Sequence, residues 1–311
     1  MNIVLLDAKT LGNDLDISAL ESFGTLTVYE TTSKEETLER IQIADIVITN
    51  KVVITANMME ETPRLKLICI AATGMNNVDL DAAKYKGIEV KNVAGYSTKS
   101  VVQHTFAMTL YLLEKMPYYD TVVKDASWTE SGLFTDVSQP FYEISEKKWG
   151  IIGFGTIGQE VAKVETAFGA EVSYHSTSGK NLHHAYPHQS LELLLKECDI
   201  ISIHAPLNDH TYNLINEHNL PFIKEDAILL NLGRGGIINE TDLAFELDRR
   251  TIYAGLDVLE QEPLTLNNKL NEVSNKDRLL ITPHIAWSSI EARQKLLEGI
   301  VENIQVFMES V

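Results

Sequence analysis

Cysteine is nearly absent from this 311-residue chain, which carries only Cys69 and Cys198. Two thiols make no disulfide framework. Both lie in apolar, strand-like runs (Leu67-Ile68-Cys69-Ile70-Ala71 and Glu197-Cys198-Asp199-Ile200-Ile201), so they read as buried thiols in a reducing compartment. Long hydrophobic runs are missing too, and none approaches the ~20 residues of a membrane span. The first apolar stretch, Ile3 to Leu6, meets Asp7 at once, which makes it a β-strand and not a signal peptide. The expected location is the cytoplasm. Positive charge is scarce, with 26 Lys and Arg against 44 Asp and Glu and a formal net charge of −18. Nucleic acids and anionic membranes are held by clustered cations, so neither is expected as a partner. Any anionic substrate has to be drawn in by local cations, while the bulk of the acidic surface serves solvation. There is no internal repeat and no low-complexity segment.

What remains is the composition of a soluble globular protein, 44% hydrophobic and 23% charged, at a length that accommodates two ordinary domains. The first ninety-odd residues alternate short apolar strands (Ile3–Leu6, Leu26–Tyr29, Asp45–Thr49, Leu67–Ala71, Glu89–Asn92) with amphipathic helices. One helix is opened by a capping box, Ser33-Lys34-Glu35-Glu36. Alternating βα units imply a parallel sheet. Val101–Met116 is apolar on nearly every side and is stopped by Pro117, so it reads as a helix buried on most of its circumference, between domains or against a partner subunit. Tyr118–Glu146 lacks periodicity and carries Trp128, Phe134, Phe141 and Tyr142, and subunit contact is its expected task.

A second βα series begins with the strand Trp149–Ile152. Its first helix ends at Gly169, a natural C′ residue. Further strands are Glu171–Tyr174, Asp199–His204, Ala227–Asn231, Thr251–Leu256 and Leu279–Ile281. The last helix opens on Ser288-Ser289-Ile290-Glu291, read as a second capping box, and carries Ile290, Leu297, Ile300, Ile304 and Phe307 at helical spacing.

Between Ile152 and its helix lies Gly153-Phe154-Gly155-Thr156-Ile157-Gly158. A lone glycine pattern of this kind also occurs in ordinary turns. Strand before and helix after make it a dinucleotide cradle. Gly153 permits the tight turn, Gly155 lets a pyrophosphate approach the backbone, and Gly158 lets helix and strand pack closely. The acid expected about twenty residues on, for the ribose hydroxyls, is absent. Ser176, Thr177, Ser178, Gly179 and Lys180 stand there instead. Without a carboxylate there is no repulsion of a 2′-phosphate, and Lys180 could pair with one. The same turn could equally accept NAD through its hydroxyls, so the cofactor is written NAD(P). No metal is expected.

Three polar residues follow strand-like runs further on. Arg234, in Asn231-Leu232-Gly233-Arg234-Gly235, offers a planar fork for a carboxylate. His284, in Thr282-Pro283-His284-Ile285-Ala286-Trp287, is suited to give a proton to a ketone oxygen and to take it back. Glu262, followed by Pro263, is the carboxylate expected to orient it and favour imidazolium, with Asp257 and Glu260 as rivals in the same stretch. Side chains just past the carboxyl ends of parallel strands converge on one crevice. A cradle, a fixed cation and a carboxylate–imidazole pair are what hydride transfer to a keto acid needs.

These segments, with Ala72-Thr73-Gly74-Met75-Asn76-Asn77-Val78-Asp79, Ser100-Val101-Val102-Gln103-His104-Thr105 and Leu256-Asp257-Val258, are similar to those of the NAD(P)-dependent D-2-hydroxyacid dehydrogenases. The match spans nearly the whole chain, and within the family glycerate dehydrogenase (hydroxypyruvate reductase) is the nearest type. The resemblance implies an α/β protein of two doubly wound parallel-sheet domains with a cleft between them. A flavodoxin-like substrate domain would take residues 1–98 plus 289–311, and a Rossmann dinucleotide-binding domain residues 99–288. It implies the catalytic trio Arg234, Glu262 and His284. The substrate carboxylate would lie near Thr73, Gly74 and Met75, and Trp287 would line the pocket or pack. Thr156 and Ile157 would take the pyrophosphate, His204, Ala205 and Pro206 the adenosine side, and Asp257 the nicotinamide amide, with Leu232 also binding the cofactor. Also implied are a homodimer built on the Val101 helix and the loop after it, and the absence of a regulatory tail. Val102 and Gln103 fall where Ala and Glu are common in the family, and Ser176 falls where it usually has Asp. Hydroxypyruvate and glyoxylate are the expected substrates. D-lactate or another D-2-hydroxy acid is the alternative, and a dinucleotide-sensing, corepressor-like binding protein is the alternative of another class.

Overall fold

The computed structural model describes residues 1–180, 182–183 and 185–310. The chain forms two units, Met1–Ser97 with Ser288–Val311, and Thr98–Trp287.

In the first unit β1 (Asn2–Leu5), β2 (Thr25–Val28), α1 (Lys34–Ile41), β3 (Ile46–Thr49), α2 (Ala56–Glu61), β4 (Leu67–Ile70), α3 (Leu80–Lys86) and β5 (Glu89–Asn92) follow one another. The sheet is wholly parallel, in the order β2-β1-β3-β4-β5, the flavodoxin-type doubly wound order. β3 and β4 are buried at every residue, as strands covered on both faces must be. Ser33 and Glu36 form the capping box of α1. Ile41, Met59 and Ala83 from the three helices pack with Val4, Val47 and Ile68 in one cluster.

In the second unit come α4 (Thr98–Leu113), α5 (Met116–Lys124), α6 (Ser127–Ser131), β6 (Lys148–Ile152), α7 (Thr156–Ala167), β7 (Glu171–His175), α8 (Leu191–Glu197), β8 (Ile200–Ile203), β9 (Ile228–Asn231), α9 (Glu240–Arg249), β10 (Tyr253–Leu256) and β11 (Leu279–Ile281). Their six strands are parallel in the order β11-β10-β9-β8-β6-β7. Beyond β7 a single parallel bridge, Tyr174 to His188, stands where the Rossmann order places a further strand. Strand residues alternate between two cores. Ile152, Ile203, Leu229 and Leu256 pack with α8 and α9 residues Leu194, Leu195, Leu243 and Leu247. Ile151, Ile200 and Leu230 pack with α4 and α7 residues Met108, Leu112, Val161 and Ala162. α10 (Ile290–Glu309) then belongs to the first unit and lies on β4 and β5.

Three local expectations are corrected. Pro117 does not merely stop a helix; it sits in the first turn of α5, where its missing N–H costs nothing. Part of Tyr118–Glu146 is therefore helical. α4 is covered on most of its circumference, with an exposed stripe at Gln103, Ala107 and Tyr111. The N-cap of α10 is Ser289, whose hydroxyl accepts from Ala292 N–H, one residue later than the expected Ser288. The buried stripe of α10 runs through Ala292, Leu296, Ile300, Ile304 and Phe307, leaving Ile290 exposed. Cys69 and Cys198 are buried, and burial pushes their thiols up to about 12 and about 11. No helix among the described residues is long and apolar enough to cross a membrane.

Candidate active site

The second unit's glycine turn joins β6 to α7. Gly153 has φ +92°, and a Cβ there would lie 2.7 Å from the Ala205 nitrogen. A Cβ on Gly158 would lie 2.4 Å from the Gly153 carbonyl oxygen. Both positions demand glycine. Gly155 differs, since a Cβ on it would meet nothing within 4 Å. It is the N-cap of α7 and supplies no side-chain cap. The first N–H groups of α7 and its positive dipole end therefore face open space, which is the setting a diphosphate requires. Thr156 is exposed and Ile157 half-buried at this end of the helix.

The strands flanking β6 add a second sign. Among the described residues, only three carry buried side-chain N or O atoms without a hydrogen-bond partner: Glu165, Ser176 and His204. Ser176 directly follows β7 and His204 directly follows β8, so two of the three stand at the carboxyl ends beside the glycine turn. Burial pushes the His204 imidazole down to about 3, leaving a neutral ring with neither nitrogen satisfied. Orphaned buried polar atoms cost free energy unless something meets them, and a nucleotide's ribose and base would. The residues present fit a dinucleotide. Ser176 begins a turn closed by Gly179 N–H to the Ser176 carbonyl at 3.2 Å, with Ser178 and Lys180 exposed and Thr177 half-buried. Ala205 and Leu232 are buried and Pro206 is exposed.

The three catalytic candidates follow β9, β10 and β11, which are adjacent. Asn231 shapes the Arg234 turn. Its Oδ1 accepts from Gly233 N–H at 3.0 Å, and its Nδ2 donates to the Arg234 carbonyl at 2.9 Å. Gly235 lies so close to the next loop that a Cβ would fall 1.8 Å from the Leu259 oxygen. The half-buried Arg234 donates from Nη1 to the Gly233 carbonyl. Among the described residues no ion pair of Arg234 is found.

Glu262 is the carboxylate that meets His284, Oε2 to Nδ1 at 2.7 Å, while its Oε1 accepts from Leu259 N–H at 3.0 Å. Both side chains keep partial exposure, 35% for Glu262 and 24% for His284. The rival carboxylates point elsewhere. Glu260 accepts from the Tyr212 hydroxyl. Asp257, 2% exposed, accepts from Thr282 Oγ1 at 2.7 Å, Ile285 N–H at 2.8 Å and Ala286 N–H at 2.9 Å. Sequence reading attached Asp257 to the cofactor and missed that it ties down the His284 turn. The tie matters because His284 has φ +54°, a left-handed conformation costing a non-glycine residue ~1–3 kcal/mol and kept only where surrounding bonds dictate it.

Thr73, Gly74 and Met75 follow β4 in the first unit. The Thr73 hydroxyl donates to the Val93 carbonyl, and its own carbonyl accepts from Asn92 Nδ2 at 2.6 Å. Trp287 is half-buried at the end of the second unit.

Residues 106–286 match the family profile of the D-isomer specific 2-hydroxyacid dehydrogenase NAD binding domain. A hydroxypyruvate reductase of Blautia hydrogenotrophica is 36% identical over 318 residues, covering 99% of this chain and 97% of that one. Among solved structures, an acyclic imino acid reductase in complex with NADPH and D-Arg is 30% identical, with TM-score 0.86 and coverage of 100% and 98%. D-lactate dehydrogenase from Aquifex aeolicus, complexed with NAD and lactic acid, is 27% identical, with TM-score 0.85 and coverage of 100% and 96%.

Proposed function

Because the chain belongs to the D-isomer specific 2-hydroxyacid dehydrogenase family, we propose that it reduces small 2-keto acids to D-2-hydroxy acids with NAD(P)H, hydroxypyruvate and glyoxylate foremost. The observation that carries this reading is the 2.7 Å Glu262–His284 pair beside the Arg234 turn. The reduced nicotinamide, when bound, supplies the hydride to the carbonyl carbon.

Arg234 holds the substrate carboxylate through its planar fork and so orients the neighbouring carbonyl. Glu262 accepts from His284 Nδ1, which fixes the ring plane and leaves Nε2 to deliver a proton to the ketone oxygen as alkoxide character grows. In the reverse direction Nε2 takes the hydroxyl proton. The carboxylate compensates the charge of the protonated ring, so no isolated cation is left half-buried. Asp257 would offer its remaining lone pair to the nicotinamide amide. The glycine turn and α7 would hold the pyrophosphate, and Ser176, Thr177 and Lys180 the adenosine ribose or a 2′-phosphate on it. The orphaned Ser176 hydroxyl and the absence of a carboxylate there support NADPH as a substrate of this site.

Met116, Val123, Phe134 and Val137 are all more than half exposed, Phe134 at 91%. This apolar surface on α5 and the loop after α6 supports a homodimer built there. The reading is tested with purified protein, both reduced cofactors and a panel of hydroxypyruvate, glyoxylate and pyruvate. Oxidation of neither cofactor by any 2-keto acid would overturn it. Equal catalytic efficiency with NADPH and NADH would remove the phosphate pocket alone.

A further inference from the structure

His104 on α4 has no part in the mechanism above, yet it ends a hydrogen-bonded chain that reaches the His284 turn. Its Nε2 lies 3.1 Å from Thr282 Oγ1 and 3.5 Å from Asp257 Oδ1. Thr282 Oγ1 lies 2.7 Å from the same Asp257 oxygen. A hydroxyl has one proton, and a carboxylate oxygen that already receives Ile285 N–H offers only lone pairs. Thr282 therefore donates to Asp257, and its oxygen accepts from His104 Nε2–H. This fixes both the direction of the chain and the proton-bearing nitrogen of His104.

One turn of α4 earlier, Ser100 donates from Oγ to the Ala286 carbonyl at 2.6 Å. Ser100 and His104, four residues apart, share one helix face. From that face α4 grips both ends of the segment 282–286. Asp257 grips it from below, through Thr282, Ile285 and Ala286. His284 sits between these anchors in its left-handed conformation. Its ring direction towards Glu262 follows from that backbone.

We infer that His104 is a positioning residue for the reaction: through Thr282 and Asp257 it holds the backbone that aims His284 Nε2 at the substrate. The inference rests on the proposed role of His284 as proton donor. His104 touches neither substrate nor reacting atoms, and its contribution lies in keeping the donor within the narrow geometry that proton transfer demands.

The test uses the full-length protein with NADPH and hydroxypyruvate. His104→Leu keeps the bulk and removes the donor, while His104→Gln restores an N–H near the Nε2 position. His104→Leu is expected to lower kcat about tenfold, ~1.4 kcal/mol of barrier, with the cofactor KM within about twofold of wild type. His104→Gln is expected to return kcat to within about threefold. In parallel, ¹H–¹³C spectra of histidine-labelled protein, with His284→Ala to assign the signal, are expected to show the His284 Cε1–H resonance displaced in His104→Leu and restored in His104→Gln. An unchanged kcat with an unmoved resonance would overturn the inference. So would a His104→Gln variant as slow as His104→Leu, because shape and not the hydrogen bond would then be responsible. A loss confined to cofactor KM would overturn it as well. If His104→Leu fails to fold, Thr282→Val, which cuts the same chain one link later, is held to the same expectations. A wild-type protein without turnover would sink the functional reading, and the resonance would then decide the positioning role by itself.

Discussion

Replacing Ser176 with Asp should shift the ratio of cofactor efficiencies towards NADH, and the size of the change follows from where the residue sits. Ser176 directly follows β7 beside the glycine turn, 6% exposed, with its hydroxyl unpartnered among the described residues. A carboxylate there would face the 2′-phosphate of NADPH. Two unit charges ~4 Å apart at an effective dielectric of ~20 repel by ~4 kcal/mol. The neighbouring Ser178–Lys180 stretch is exposed, and screening by solvent there leaves roughly half of that. About 2–4 kcal/mol corresponds to a loss of roughly 30- to 800-fold in kcat/KM for NADPH. With NADH the same carboxylate accepts from the ribose hydroxyls, a charge-assisted pairing worth ~1.5–3 kcal/mol less its desolvation, or about a tenfold gain. The ratio of the two specificity constants should therefore move by about 10³ towards NADH.

The assay is initial-rate kinetics with each reduced cofactor at saturating hydroxypyruvate, with a thermal melt to show that the variant is folded. Lys180→Ala is the companion variant, expected to lose about tenfold with NADPH and to leave NADH within about twofold, as one lost phosphate contact would. If Ser176→Asp moved the ratio by less than threefold, or lowered both constants together, the placement of the 2′-phosphate beside Ser176 would be wrong.

Three further outcomes are expected. His284→Ala should lower kcat by ~10²–10⁴-fold, the range for a lost general acid, with cofactor binding by fluorescence titration little changed; a near-wild-type rate would dismiss it as proton donor. Glu165, fully buried on α7 with both oxygens unpartnered, is held well above the usual carboxylate range by desolvation. Its proton is kept by the folded chain after the unfolded chain has lost it, so stability is full below the ordinary carboxylate pKa and falls by ~1.4 kcal/mol per pH unit on the way up to the shifted one. Glu165→Met should remove that slope and gain more over wild type in urea denaturation at pH 8 than at pH 5; an equal difference at both would contradict it. Phe134→Glu, on the exposed loop after α6, should convert a dimer to monomers in sedimentation velocity, and an unchanged dimer would place the interface elsewhere.

The strands could be read because each buried one is a continuous run such as Ile46–Thr49 or Ile228–Asn231, covered on both faces. Apart from β5 and β11, whose bounds match, their ends were misjudged by a residue or two, since hydrogen bonding and not hydrophobicity sets where a strand stops. The single bridge at His188 could not be read at all, since Tyr-Pro-His-Gln carries no apolar run. α5 was hidden by Pro117, which ends one helix or begins another depending on the backbone before it. Lys115 with φ 53° decides for the beginning. The shift of the α10 cap from Ser288 to Ser289 is of the same kind, since either serine suits an N-cap and only the backbone selects one.

The site divides differently. Gly153 and Gly158 were legible because their geometry admits no other residue, and Gly155 because open space at a helix start is left for a ligand. Arg234, Glu262 and His284 were legible as types, each just past a strand, but not as partners. Choosing Glu262 over Asp257 and Glu260 required knowing which carboxylate the parallel order β9-β10-β11 brings to the imidazole, and that is a property of the sheet. Asp257 shows what residue type alone leaves out. A buried acid near a cofactor turn reads as a ligand, and nothing local reveals that it also accepts from Thr282, Ile285 and Ala286. The partners of His104 lie 153 and 178 positions away, at Asp257 and Thr282, and no local pattern encodes such a pair. Only the i, i+4 spacing of Ser100 and His104 hints that one face of α4 is polar for a reason. What holds His284 in an unfavourable backbone is supplied by distant segments, because local sequence by itself would relax it.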